Sequence, residues 1–163
     1  MNNVTKIAFQ LSIALASASL AAAPLPKEGS VNWVGCYVGD MTLMEASKES
    51  QFGSFHLSGL ILTATEGALL DATTHECIIQ VSIDATGRNA NGVCVTVDAD
   101  GDKTSQNYAG VNGAGKWNFV GGTGKYAGIT GGGEYKPARK FPAMMQQGKR
   151  GGCNSISGTY RLP

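Results

Sequence analysis

The chain has 163 residues and a mass of 16.9 kDa, enough for one domain with a real core. Charged residues make up 15% and hydrophobic residues 42%, which excludes a disordered polyelectrolyte and a charged coiled coil. Twenty-three glycines without a three-residue period exclude collagen, and a net charge of +1 provides no field that would draw the chain onto nucleic acid.

Residues 1–23 read as a secretory signal. Lys6 is followed by an apolar stretch from Ile7 to about Ala16, and small residues then cluster up to Ala23. Cleavage is expected after Ala21 or Ala23 by the small-residue rule. An uncleaved anchor is the competing reading, but the apolar stretch falls short of the roughly 20 residues that span a bilayer. With no cysteine near the cut, a lipid anchor is not expected. The expected organisation is a leader over 1–23 and a single domain over 24–163, exported to a bacterial periplasm or the extracellular medium. Once the leader is removed, acidic and basic residues balance and no membrane span remains. The one glycosylation sequon, Asn3-Val4-Thr5, lies in the leader.

Cys36, Cys77, Cys94 and Cys153 follow the leader. An even count in an exported chain predicts two disulfides. Zinc is the alternative, but no pair has the C-x-x-C spacing of a structural site. Of the three possible connectivities, Cys77–Cys94 and Cys36–Cys153 are expected. The first pair lies symmetrically about the turn-like run Asp84-Ala85-Thr86-Gly87-Arg88. The second would join the first and last strands, which are neighbours if a sheet closes on itself.

Strand-like runs follow at 31–38, 54–63, 77–83, 92–98, 104–110, 116–120, 132–136 and 155–162, separated by Gly, Asn and Asp. Val93, Val95 and Val97 alternate with Cys94, Thr96 and Asp98. In 54–63 both phases carry apolar residues. Asp100-Gly101 reads as a two-residue hairpin turn. The polar segment 45–53 reads as a loop. Eight hairpin-connected strands with interspersed glycines predict an all-β fold, an eight-stranded antiparallel closed barrel; a two-sheet sandwich is the alternative.

One motif is more distinctive. Gly115-Lys116-Trp117-Asn118-Phe119-Val120 runs into Gly121-Gly122-Thr123-Gly124-Lys125-Tyr126-Ala127-Gly128-Ile129-Thr130-Gly131-Gly132-Gly133-Glu134-Tyr135. Upstream, Gly92-Val93-Cys94 leads to Asp98-Ala99-Asp100-Gly101-Asp102-Lys103. This order, over roughly 90–136 with an echo in Gly158-Thr159-Tyr160, resembles bacterial allene oxide cyclase-like barrels, related in shape to the plant dirigent proteins. The resemblance implies an eight-stranded barrel with an apolar interior. In members that act on substrates, a reactive small molecule is cyclised or coupled inside it. No substrate-contacting residue of the plant enzymes can be carried over. Read physically, the glycines allow a tight path after Val120, and Tyr126 and Ile129 can pack back over one barrel end.

Two nucleotide motifs fail. A P-loop would need glycine at Phe119 and Ser or Thr at Tyr126, and the loose dinucleotide match at Gly122 has no βαβ unit around it. Asp98, Asp100 and Asp102 resemble the start of a calcium loop, but its twelfth position is Ala109, so a solvated turn is the stronger reading. Neither His56 nor His75 has metal-pair spacing. His56 sits among apolar residues, and His75 adjoins Glu76 and Cys77. No cofactor is implied.

Candidate donors or acceptors for chemistry in an apolar pocket are Tyr135, Glu134, Tyr37 and Tyr108. Strand alternation lets only one of Glu134 and Tyr135 face inward, and Tyr135 is chosen. His56, Tyr126 and Tyr135 are candidate ligand contacts. The segment 136–152 holds five basic residues, no acid, and Met144 and Met145; it reads as a basic loop, or as a docking surface for an anionic ligand or lipid head group. Three functions stay open. The first is binding a small apolar molecule in the barrel. The second is cyclase or isomerase activity there, and the third is an interaction module with a filled core. Whether the chain is an enzyme, and its oligomeric state, are not fixed by sequence.

Overall fold

The computed structural model describes residues 25–140 and 149–163. The expected leader over 1–23, and Met144 and Met145, therefore lie outside the described residues. Eight strands follow in chain order: β1 Glu28–Ser47, β2 Ser50–Thr63, β3 Thr73–Asp84, β4 Gly87–Val97, β5 Lys103–Val111, β6 Ala114–Gly122, β7 Thr130–Lys140 and β8 Lys149–Arg161. Each pairs antiparallel with its neighbour, and β1 also pairs with β8, closing the barrel. The fold is the closed eight-stranded antiparallel barrel expected from the strand pattern.

Side-chain alternation divides each strand between the interior and the outer face. Val31 and Trp33 on β1, Phe55, Leu57 and Ile61 on β2, and Cys77 and Val81 on β3 are buried. The other phase is not purely polar: Leu60, Leu62, Ile78, Val93 and Val95 are exposed. The regular alternation of Val93, Val95 and Val97 with Cys94 and Thr96 thus marks the outer face, not the core.

Both expected disulfides form. Cys77 stands directly opposite Cys94 across β3 and β4. Cys36 stands opposite Cys153 across the closing seam of β1 and β8. The first bridge is inward, in phase with His75 and Val81. The second shares neither phase with Gly35 nor with Tyr37 and so lies on the outer face.

Three expectations are corrected. The segment 45–53 is not a loop: β1 and β2 continue through it and meet at Ser47 and Ser50 around Lys48 and Glu49. Its side chains are polar because they face solvent, while the backbone gains its order from cross-strand pairing. Asp100-Gly101 is not a two-residue turn. The Gly101 N–H donates to the Asp98 carbonyl (3.1 Å), and Gly101 has φ +84°. That is a type I turn followed by a left-handed glycine, with Ala99, Asp100 and Gly101 in the loop. A two-residue turn with both residues at positive φ lies instead at Asn112 (φ +53°) and Gly113 (φ +89°), between β5 and β6. Finally, 136–152 is not one long loop, because β7 runs to Lys140 and β8 starts at Lys149.

The interior has two unequal halves. At the end holding the chain's described termini, Trp33, Trp117 and Phe119 pack at ring-centroid distances of 5.0–6.2 Å. The indole N–H groups of Trp33 and Trp117 donate to the carbonyls of Leu69 (2.9 Å) and Ser157 (3.1 Å). Leu69 and Leu70 from the β2–β3 connection, and Tyr126 and Ile129 from the glycine-rich motif, complete this plug. The expected packing of Tyr126 and Ile129 over one barrel end is what the fold contains.

Loop length separates the two bridges. Cys36–Cys153 spans 117 residues and Cys77–Cys94 spans 17. Chain-entropy arithmetic assigns about 5 kcal/mol to the former and about 3 kcal/mol to the latter. Urea unfolding of the Cys36→Ser/Cys153→Ser and Cys77→Ser/Cys94→Ser proteins is expected to show the larger loss in the first.

Candidate functional site

Among the described residues the other half of the barrel is open. A cavity of about 640 Å³ extends from the plug toward the β3–β4 and β5–β6 turns. Its walls carry Tyr37, Met41, Phe55, Leu57, Ile79 and Val81. Small inward residues create the space: Gly35 on β1, Ala90 on β4 and Gly152 on β8 line the cavity where bulkier side chains would fill it. An eight-stranded barrel is otherwise just wide enough for its own side chains to occupy.

His75 lies on the inward phase of β3, toward the plug. It is 8% exposed, and its Nδ1 is sealed from solvent without a hydrogen-bond partner among the described residues. Its imidazole leans on the β2 backbone: a Cβ on Gly59 would come within 2.9 Å of His75 Cε1 and 2.0 Å of the Cys36 carbonyl oxygen. Glycine is required there. Burial holds the imidazole neutral, lowering its pKa from 6.5 to about 4.

Three phenols face the cavity, Tyr37 from β1, Tyr108 from β5 and Tyr135 from β7. Tyr108 and Tyr135 meet edge to face at 5.5 Å, and Tyr37 meets Phe55 edge to face at 6.0 Å. A Cβ on Gly110 would come 2.4 Å from the Tyr135 hydroxyl, so that glycine opens the space the phenol occupies. Burial pushes all three phenols above their ordinary pKa, Tyr108 farthest, and the Arg88 charge partly offsets this for Tyr37 and Tyr135. At neutral pH the three therefore stay protonated and can donate hydrogen bonds. Arg88 and Asn91 from β4, Asn112 and Gly113 from the β5–β6 turn, and Arg150 from β8 edge the mouth.

The sequence candidates divide accordingly. Tyr37, Tyr108 and Tyr135 are brought together on the cavity. Glu134 alternates with Tyr135 and is exposed on the outer face. His56 is also exposed and outward, paired in register with Asp40 and Ile78, because Phe55 and Leu57 hold the inward phase of β2. Tyr126 is buried in the plug and is not among the residues that line the cavity. Of the expected ligand contacts, the structure places Tyr135 on the cavity and His56 and Tyr126 away from it.

The carboxylates of Asp98, Asp100 and Asp102, the calcium-loop candidates, are engaged by the chain itself. The Lys125 ammonium lies 2.7 Å from Asp98 Oδ2 and 2.6 Å from Asp100 Oδ2, and the Lys125 N–H donates to Asp102 Oδ2 (3.1 Å). Asp98 Oδ1 accepts from the Asp100 and Asp102 N–H groups, each at 2.9 Å. The chain's own cation takes the place a metal would hold. Burial raises the Asp98 pKa, but hydrogen bonds from Lys125, Tyr126 and Asp102 outweigh it and hold the carboxyl below its usual range. No cluster of His, Cys, Asp and Glu among the described residues is arranged to hold a metal.

His75 and Arg88 were missed as cavity residues. The available signal was phase. His75 lies two residues before Cys77, and Arg88 lies six before Cys94, so each shares the inward face of a disulfide expected across that hairpin.

The barrel is similar to the solved structure of the pterocarpan synthase dirigent protein GePTS1. The TM-score is 0.52 at 11% identity, with 84% of this chain and 93% of that chain covered. At this identity the likeness establishes a dirigent-like barrel fold and no shared reaction. No family model matches the chain. No curated protein matches it.

His75 makes stability depend on pH. Its unfolded imidazole takes a proton near 6.5 and its folded one near 4, so stability is fully present above 6.5 and falls as pH drops toward 4. The loss amounts to about 3 kcal/mol. Urea unfolding of the parent and of His75→Gln across this range is expected to show a shallower fall in the variant.

Proposed function

We propose that the protein is an exported barrel that holds a small, largely apolar molecule in its open half. The cavity carries this reading: about 640 Å³ lies within the 300–1,000 Å³ typical of small-molecule sites, and its walls are aromatic and aliphatic with polar groups at the mouth. A filled-core interaction module is disfavoured by the same observation. Export is supported by the two disulfides, which persist in oxidising compartments, and by the leader-like composition of residues 1–23. No helix among the described residues is long and apolar enough to cross a membrane. The bacterial, allene oxide cyclase-like character suggested by the glycine-rich motif belongs to this proposal too.

A second reading, a cyclase or isomerase, draws on the three phenols. Protonated phenols in a desolvated pocket can stabilise a developing oxyanion while the walls fix the substrate's conformation. Binding takes precedence because no carboxylate lines the cavity among the described residues, and the His75 Nδ1 is sealed from it.

The neutral dye N-phenylnaphthylamine tests the cavity. One dye per chain is expected to bind with micromolar affinity by fluorescence titration. Ala90→Trp, which places an indole inside, is expected to weaken binding by about tenfold or more; Val81→Trp, on the neighbouring strand, is a second variant should the first not fold. Dye binding that survives in a folded cavity-filled variant would overturn the reading.

A further inference from the structure

The mouth of the cavity differs in chemistry from its walls. Arg88 holds the inward phase of β4, opposite Ile83 in register, and its backbone N–H donates to Asn112 Oδ1 (3.0 Å). Its guanidinium turns toward the β5–β6 turn, with Nη2 3.6 Å from where a Cβ on Gly113 would sit. Its charge acts on both Tyr37 and Tyr135. Among the described residues no carboxylate pairs with Arg88, and none lines the cavity. Arg150 reaches the same mouth from β8, four strands away around the closed barrel and so across its diameter. Two guanidinium groups thus stand at the mouth of an apolar shaft in a chain whose net charge is only +1.

We propose that this mouth is an anion subsite, in which Arg88 and the Tyr37 and Tyr135 hydroxyls take the acidic group of an organic monoanion whose apolar body fills the cavity. The proposal rests on the reading of the barrel as a small-molecule binder and adds the class of ligand. Geometry and solvation both favour it. An exposed guanidinium alone is hydrated and gains little from an ion. A ligand whose body seals the mouth removes that water, and charge-assisted hydrogen bonds then strengthen in the lowered dielectric. Protonated phenols add donors and no competing negative charge.

Two dyes of nearly one shape separate the proposal from the reading beneath it. Anilinonaphthalene sulfonate is phenylnaphthylamine carrying a sulfonate. With the disulfide-intact full chain, the anionic dye is expected to bind about tenfold tighter than the neutral one, with the advantage shrinking at high salt. Arg88→Gln is expected to bring the affinity ratio near one. Ala90→Trp should weaken both dyes, which places them in the cavity. Equal affinities in the parent, or a sulfonate advantage that persists in Arg88→Gln, would overturn the anion subsite and leave the apolar cavity standing. Failure of both dyes to bind would overturn the cavity reading, and the subsite with it.

Discussion

Closure of the sheet by β1 against β8 is the constraint on which both halves of the interior depend. The seam runs in unbroken register from Glu28↔Arg161 to Asp40↔Lys149, joining the most distant strands of the chain. Until it forms, β1 and β8 are edges and neither the aromatic plug nor the cavity has a complete wall. Ordering a loop of that length is entropically costly, and the outer-face bridge Cys36–Cys153 removes much of that cost from folding. The ion pairs near the seam's ends, Glu28 with Arg161 and Asp40 with Lys149, are exposed and contribute little by comparison. Hydrogen bonding and one covalent link therefore fix the diameter within which side-chain volumes decide what is filled.

Given that diameter, residue size partitions the interior. Trp33, Trp117, Phe119 and Tyr126 concentrate at one end, and their indole N–H groups are paired with carbonyls, so the plug bears no unsatisfied indole. Toward the other end, Gly35, Ala90 and Gly152 interrupt the larger inward side chains, and the same ring of strands encloses a void. The plug needs a lid, which explains why Leu70 (φ +59°) and Ala72 (φ +51°) accept left-handed backbone in the β2–β3 connection. Asp71 between them accepts from the Thr63 N–H (3.1 Å) and hydroxyl (2.8 Å), and Thr73 donates to the Leu70 carbonyl (2.8 Å). These local bonds offset the strain and hold the two leucines over the aromatic cluster.

The strand count and fold class were legible because alternation and turn residues recur along the chain. The two disulfides were legible because a closed barrel makes its first and last strands neighbours. What could not be read was phase. In β2, Leu57 and Ile61 alternate with Leu60 and Leu62, so hydrophobicity alone does not say whether His56 faces in or out. Only the pairing of β2 with its neighbours, registered to the inward Cys77–Cys94 bridge, settles it. Turn chemistry was similarly underdetermined. Asp100-Gly101 and Asn112-Gly113 are both hairpin dipeptides, but only the second joins strands whose ends leave two residues between them. Polar composition misled at 45–53, where cross-strand hydrogen bonds order residues whose side chains bury little.

Charged and polar groups show the same logic of local compensation. The acidic turn at 98–102 carries three carboxylates, an arrangement that would favour a cation if left alone. The glycine-rich motif delivers Lys125 onto it, so the turn and the motif neutralise one another and fasten the β4–β5 turn to the segment that carries Tyr126 into the plug. At the open end no carboxylate among the described residues pairs with Arg88. Arg88, the three phenols and the neutral His75 border the cavity without a carboxylate among them. A polar set left uncompensated beside an apolar wall is costly to bury and unremarkable while wet. That asymmetry separates the half of the barrel whose packing holds the chain together from the half whose walls border a cavity.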